Sequence, residues 1–93
     1  MKLQSEATRE DLLKRLRRVE GQVRGIHKML EEERDCREIA QQLTAVQAAL
    51  RSTTTTFLHA HARECLVRSQ DLEPDKQAVL IDDLFGLLAS TAR

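Results

Sequence analysis

Three side chains in this sequence are suited to holding a soft ion: Cys36, His61 and Cys65. They bound a stretch of thirty residues, from Cys36 to Cys65, that contains neither Pro nor Gly. Its apolar positions fall at Ile39, Leu43, Val46, Leu50, Thr53, Phe57 and Ala60, in steps that alternate four and three. That is the period of one long helix burying a single seam. At 1.5 Å per residue, Cys36 and Cys65 are about 43 Å apart along the axis. At 100° per residue, Cys36, His61 and Cys65 fall within about 20° of one azimuth. His61 and Cys65, at i and i+4, can share an ion, and Cys36 of the same chain cannot reach it. A second chain, antiparallel across a two-fold axis, brings its own Cys36 to the pair. The spacing therefore suggests a thiolate–imidazole–thiolate site built between two subunits. Such donors favour Cu(I) or Zn(II), and a set of three leans to Cu(I) because zinc usually takes a fourth ligand. The same residues also read as two core cysteines and a surface histidine, because free Cys is among the most buried residue types. His59 lies on another face of the helix and His27 on the preceding helix, and both read as ordinary polar residues.

The elements that must position these side chains are helical. Leu12, Leu16, Val19, Val23, Ile26 and Leu30 repeat the four-three spacing and predict a first helix over about 8–32. Thr8 with Asp11 is an imperfect capping-box start, and residues 1–7 are expected to fray. Gly21 and Gly25 sit inside this helix, a cost that a close helix–helix approach would offset. Residues 31–35 break the period and read as a turn. The second helix covers about 36–69, and its Thr53–Thr56 run is a weak helix sequence that suggests a soft point. Pro74 suits the first position of a third helix over about 74–91, with Leu80, Leu84, Leu87 and Leu88 as its apolar face. The expected fold class is all-α, a long antiparallel helical hairpin plus a short third helix in one domain spanning residues 1–93.

Composition points to assembly. With 93 residues, two Phe and no Trp or Tyr, the chain has little with which to build a core of its own. No apolar run is long enough to span a membrane, and the N-terminus lacks the apolar segment of a signal peptide. A cytoplasmic location is expected, where two cysteines read as ligands, sensors or core residues. The formal net charge is +0. It conceals a basic first helix: residues 12–30 hold Lys14, Arg15, Arg17, Arg18, Arg24 and Lys28 against the single acid Glu20. That face can meet DNA phosphates, or can simply be a solvated face with salt bridges. No helix-turn-helix, zinc-finger or leucine-zipper pattern is present, and no P-loop, dinucleotide fingerprint or catalytic triad speaks for an enzyme.

The segment from Arg15 to Ile26, RLRRVEGQVRGI, resembles the signature of the CsoR/RcnR family of bacterial metal-sensitive repressors. So do Asp35-Cys36-Arg37-Glu38-Ile39 and Gln42-Leu43-Thr44-Ala45-Val46. The resemblance covers about residues 8–70. It implies a homodimer forming a four-helix bundle, with dimers pairing into a tetramer. It implies that the unliganded protein represses by binding operator DNA, and that an inducer at the intersubunit site releases it. The Cys-His-Cys triple is that of the copper-sensing branch, so Cys36, His61 and Cys65 carry over as Cu(I) ligands. Arg15, Arg17, Arg18 and Arg51 carry over as DNA-contacting residues. The copper branch commonly has Tyr before the first Cys, where this chain has Asp35. It uses a Glu on the third helix beside the ligands, where this chain offers Asp82 or Asp83. Asp35, Glu64 and Asp82 are thus the carboxylates expected next to the site. The persulfide-sensing branch keeps both cysteines without the histidine; Asp35 and Glu64 lean that way and His61 leans against it. The alternative is therefore a reactive-sulfur sensor using Cys36 and Cys65, and beyond it a structural helical oligomer with no inducer.

Overall fold

The computed structural model describes residues 1–91. Positions 92 and 93, part of the domain expected over 1–93, lie outside the described residues. The chain forms three helices: α1 (Glu6–Glu31), α2 (Cys36–Ser69) and α3 (Pro74–Thr91). No strand occurs among the described residues. The molecule is a flat rod, 59 × 27 × 14 Å.

α1 begins ahead of Thr8. Ser5 is its N-cap, and the Ser5 hydroxyl accepts a hydrogen bond from the Thr8 backbone N–H. Glu6 in the first turn and Lys28 in the last complement the helix dipole. The expected fraying of residues 1–7 is corrected by this cap and by the contacts of residues 4 and 5 described below. α1 stops at Glu31, and Glu33, with φ of 55°, turns the chain in the left-handed region. Asp35 then caps α2, its carboxylate accepting from the Arg37 N–H. α2 runs unbroken through Thr53–Thr56. The Thr53 hydroxyl donates to the Ala49 carbonyl at 2.9 Å, so a side chain that competes with the helix is here satisfied by it. Pro74 opens α3, where its missing N–H costs nothing. Gln77 donates to the Ser69 carbonyl at 2.6 Å and ties α3 to the end of α2.

α1 and α2 pack as an antiparallel hairpin, and the seam divides its apolar residues into two sets. Leu12, Val19 and Ile26 of α1, with Val46 and Thr53 of α2, are buried between the helices. Leu16, Val23 and Leu30, with Leu43, Leu50 and Phe57, are exposed. Within each helix these buried residues are seven apart, and so are these exposed ones. The hairpin thus covers one edge of each stripe and leaves the other open, a large apolar surface for a chain of this size. The glycines behave differently from expectation. A Cβ at Gly25 would meet nothing within 4 Å, and at Gly21 only the flexible Arg24 guanidinium at 3.9 Å. Among the described residues no other helix approaches either one; both lie on the side of α1 turned away from the seam.

Candidate metal centre

α2 carries the donors, and its length separates them. Cys36 is its first residue and is exposed; Cys65, 1 % exposed, lies near the other end. An unbroken helix keeps them about 43 Å apart. Among the described residues no group of three His, Cys, Asp or Glu side chains is placed to hold a metal. One protomer therefore contains two donors together, His61 and Cys65, and the third at the far end of the rod.

One turn of helix sets the geometry of the pair. His61 Nε2 lies 3.6 Å from Cys65 Sγ and Nδ1 lies 3.9 Å from it. A sulfur about 2.3 Å and a nitrogen about 2.0–2.1 Å from one ion, at trigonal or tetrahedral angles, stand about 3.5–3.8 Å apart. The pair fits a shared ion without rearrangement. Phe57, one turn earlier, stacks on the imidazole with centroids 6.1 Å apart and planes 8° from parallel, which orients the ring. The two donors open into a cavity of about 410 Å³ lined also by Met1, Leu3, Leu80, Asp83, Leu84 and Leu87. α3 thus covers the donors with the apolar face that its leucines predict.

Burial acts on the chemistry of the thiol. Desolvation pushes the Cys65 pKa above the usual 9.0, and the neighbouring Glu64 carboxylate adds to the rise; Arg68 and the N-terminal ammonium oppose it. Cys65 is therefore a neutral thiol at neutral pH, and a metal binding there must displace its proton.

The three carboxylates have distinct positions. Asp35 caps α2 directly before Cys36. Glu64 does not turn to the metal donors: its two oxygens accept from the backbone N–H groups of Gln4 at 2.8 Å and Ser5 at 3.1 Å. On α3, Asp83 lines the cavity and Asp82 is exposed outside that lining. His59 is exposed, and His27 pairs with Glu31 at 2.6 Å on the surface of α1. Spacing does not single out Met1; its thioether, 3.9 Å from Cys65 Sγ, reaches the site from outside the helices. The only local hint is Ser5 followed by Glu6, a cap that brings residues 1–4 back along α2.

The arginines divide in the same way. Arg15 is half-buried, its Nε donating to Asp11 at 2.9 Å and its Nη1 to Ser52 at 3.1 Å across the hairpin. Arg17, Arg18 and Arg51 are exposed and form no salt bridge among the described residues. No helix is long and apolar enough to cross a membrane among the described residues.

Known proteins are similar to this chain. A family described as metal-sensitive transcriptional repressor matches residues 8–90. The copper-sensing transcriptional repressor RicR of Mycobacterium tuberculosis is 46 % identical over 61 residues, 66 % of this chain and 64 % of that protein's length. The copper-sensing transcriptional repressor CsoR of Bacillus subtilis is 37 % identical over 75 residues, 81 % of this chain and 74 % of that protein. The crystal structure of the copper-sensing repressor CsoR with Cu(I) from Geobacillus thermodenitrificans superposes with a TM-score of 0.83 at 34 % identity, covering 100 % of this chain and 95 % of that one. With an all-α hairpin, a third helix closing on its end and a match that takes in all three, the chain belongs to the metal-sensitive transcriptional repressors of the CsoR/RcnR family, which are DNA-binding regulators rather than enzymes.

Proposed function

We propose that this chain is a Cu(I)-responsive repressor that releases operator DNA when Cu(I) binds Cys36 of one subunit together with His61 and Cys65 of another. The observation that carries this reading is the 3.6 Å His61–Cys65 pair on a helix whose other cysteine is about 43 Å away. Two thiolates and an imidazole are soft donors suited to Cu(I). The copper-sensing relatives agree with the choice of metal. When bound, the ion supplies a crosslink between subunits; the chain's part is to hold the donors in place and keep water from them.

The unit that acts is a single domain assembled as a homodimer, with dimers paired into a tetramer in the cytoplasm. The exposed edge formed by Leu43, Leu50 and Phe57 on α2 and Leu16, Val23 and Leu30 on α1 supports the four-helix dimer. An antiparallel partner on that face carries its Cys36 toward the His61–Cys65 end. DNA contact is assigned to Arg17, Arg18 and Arg51, with Arg15 bridging α1 to α2 at the edge of the same face. Drawing Cys36 onto the partner's donors shifts α2 against α1 and changes the spacing of the basic faces. Asp35 acts here by fixing the turn that presents Cys36, and Asp83 is better placed than Asp82 to support the ligands from α3.

A sensor in which Cys36 and Cys65 react with sulfane sulfur uses the same cysteines. The His61 imidazole, 3.6 Å from Cys65 Sγ, speaks for the metal reading, because a sulfur bridge between the two cysteines needs no nitrogen donor. Substitution separates the two. Anisotropy of labelled operator DNA, at fixed salt, follows release on adding Cu(I) or a persulfide donor. Cu(I) should release the wild type and fail on His61→Ala. Release of both proteins by persulfide, with neither responding to Cu(I), would contradict the copper reading.

A further inference from the structure

Residues 1–5 precede the first helix but do not hang from it. The Glu64 carboxylate accepts from the backbone N–H groups of Gln4 and Ser5, at 2.8 and 3.1 Å. Ser5 is itself the N-cap of α1, so the segment is held at a helix end on one side and at α2 on the other. Glu64 directly precedes Cys65. The chain ahead of Ser5 is thereby laid along α2 into the cavity of the metal donors, where Met1 and Leu3 join Phe57, His61, Cys65 and Leu84 in its wall.

Within that cavity Met1 Sδ lies 3.9 Å from Cys65 Sγ. Two sulfurs each about 2.3 Å from one ion, at trigonal to tetrahedral angles, stand about 3.8–4.0 Å apart. The Met1–Cys65 and His61–Cys65 separations are both those of donors around a common ion. A thioether is soft and uncharged and suits Cu(I). It has no proton to lose, so it adds a donor without adding to the pH dependence set by the thiols.

We propose that Met1 is a thioether ligand of the copper centre, delivered from the same subunit as His61 and Cys65 by an N-terminal segment that Glu64 fastens to α2. The proposal rests on the copper reading. It gives the centre a fourth donor, from the segment that precedes α1. Cu(I) held by three donors is open to exchange with free thiols; Met1 closes that approach. It also gives Glu64 a role distinct from that of a carboxylate beside the metal: it is a positioning residue, two backbone hydrogen bonds away from the ligand it places.

The chain has two methionines, Met1 and Met29. Full-length Met29→Leu protein labelled with selenomethionine therefore carries selenium at position 1 alone. It is loaded anaerobically with one equivalent of Cu(I), and X-ray absorption is recorded at the selenium and copper edges. The expected result is a copper neighbour at bonding distance from selenium. In the Glu64→Ala variant of the same protein, the selenium–copper contact should disappear while the two sulfurs and one nitrogen stay at the copper. Its Cu(I) affinity, read by chelator competition, should fall about tenfold, the lower end for removal of an outer partner at a metal site. A copper edge with two sulfurs and one nitrogen but no copper neighbour at selenium overturns the Met1 assignment and leaves the copper centre standing. Absence of tight Cu(I) binding overturns both.

Discussion

His61 Nε2 and Cys65 Sγ stand 3.6 Å apart, one helical turn from each other, at the end of α2 opposite Cys36. The proposal of a centre shared between subunits follows from that pairing of neighbours and that distance from the third donor. The helix places two donors together, and in the proposed centre the third comes from another chain, which would make metal occupancy and subunit contact one event.

Metal affinity should depend on pH through the thiols. Burial and Glu64 hold the Cys65 proton above its usual range, so Cu(I) must displace it. Apparent Cu(I) affinity should rise with pH by up to about tenfold per unit for each thiol proton released. The apo-protein should show the opposite sign. A pKa raised on folding adds stability below the unfolded value of 9.0, and that stability is lost as pH rises through the higher folded value. Thermal melts of the reduced protein and of Cys65→Ala across the alkaline range check this: the difference between them should change only there.

The open edge of the hairpin should be the dimer contact. Leu50, 43 % exposed, sits at its centre on α2. Leu50→Asp should leave the protomer helical by circular dichroism and shift it to monomer in sedimentation velocity. Tight copper binding through two cysteine thiolates should be lost with the dimer, although both cysteines remain. A Leu50→Asp protein that stays dimeric would place the subunit contact elsewhere.

Asp35 joins stability to the site. Its carboxylate caps α2 directly before Cys36, and Asp35→Ala should cost about 1 kcal/mol in denaturant unfolding. Asp35→Asn, which keeps the cap, should recover most of it. Because the lost cap frays the turn that carries Cys36, Cu(I) affinity should fall in the Ala variant and return in the Asn variant.

The exposed arginines should act through phosphates. Arg18→Ala should weaken operator binding by a similar factor across unrelated sequences, and should flatten the slope of log affinity against log salt by about 0.9 for each phosphate that is no longer neutralised. Arg15→Ala should differ, because Arg15 also bonds Asp11 and Ser52. It should lower the melting temperature as well as DNA affinity, whereas Arg18→Ala should lower affinity alone.

The helices were legible because their apolar residues keep a strict four-three spacing, as from Leu12 to Leu30 and from Ile39 to Phe57. The distance between Cys36 and Cys65 followed from the helix rise alone. Spacing does not show which half of each stripe the hairpin covers. Leu12 and Leu16 look equivalent in sequence, and packing of α2 buries one and leaves the other open. The glycines misled for a related reason: a helical Gly suggests a close neighbour, but Gly21 and Gly25 point away from α2, which packs on α1. The N-terminal segment was hidden because its structure depends on Glu64, about sixty residues later, and no local pattern reports such a contact. Asp82 and Asp83 are adjacent in sequence, and only the packing of α3 decides which of them faces the donors.

The claim that the centre is shared between subunits is tested most directly with mixed dimers. Cys36→Ser and Cys65→Ser protomers, carrying different affinity tags, are purified singly and as the doubly tagged heterodimer. Each homodimer lacks a thiolate at both of its sites. The heterodimer has one site with both thiolates replaced and one fully intact, formed by Cys36 of the Cys65→Ser protomer with His61 and Cys65 of the other. Anaerobic Cu(I) titration against a competing chelator should therefore find one tight equivalent per heterodimer, at wild-type affinity, and none in either homodimer. A heterodimer that binds Cu(I) no better than its parents would contradict the shared centre.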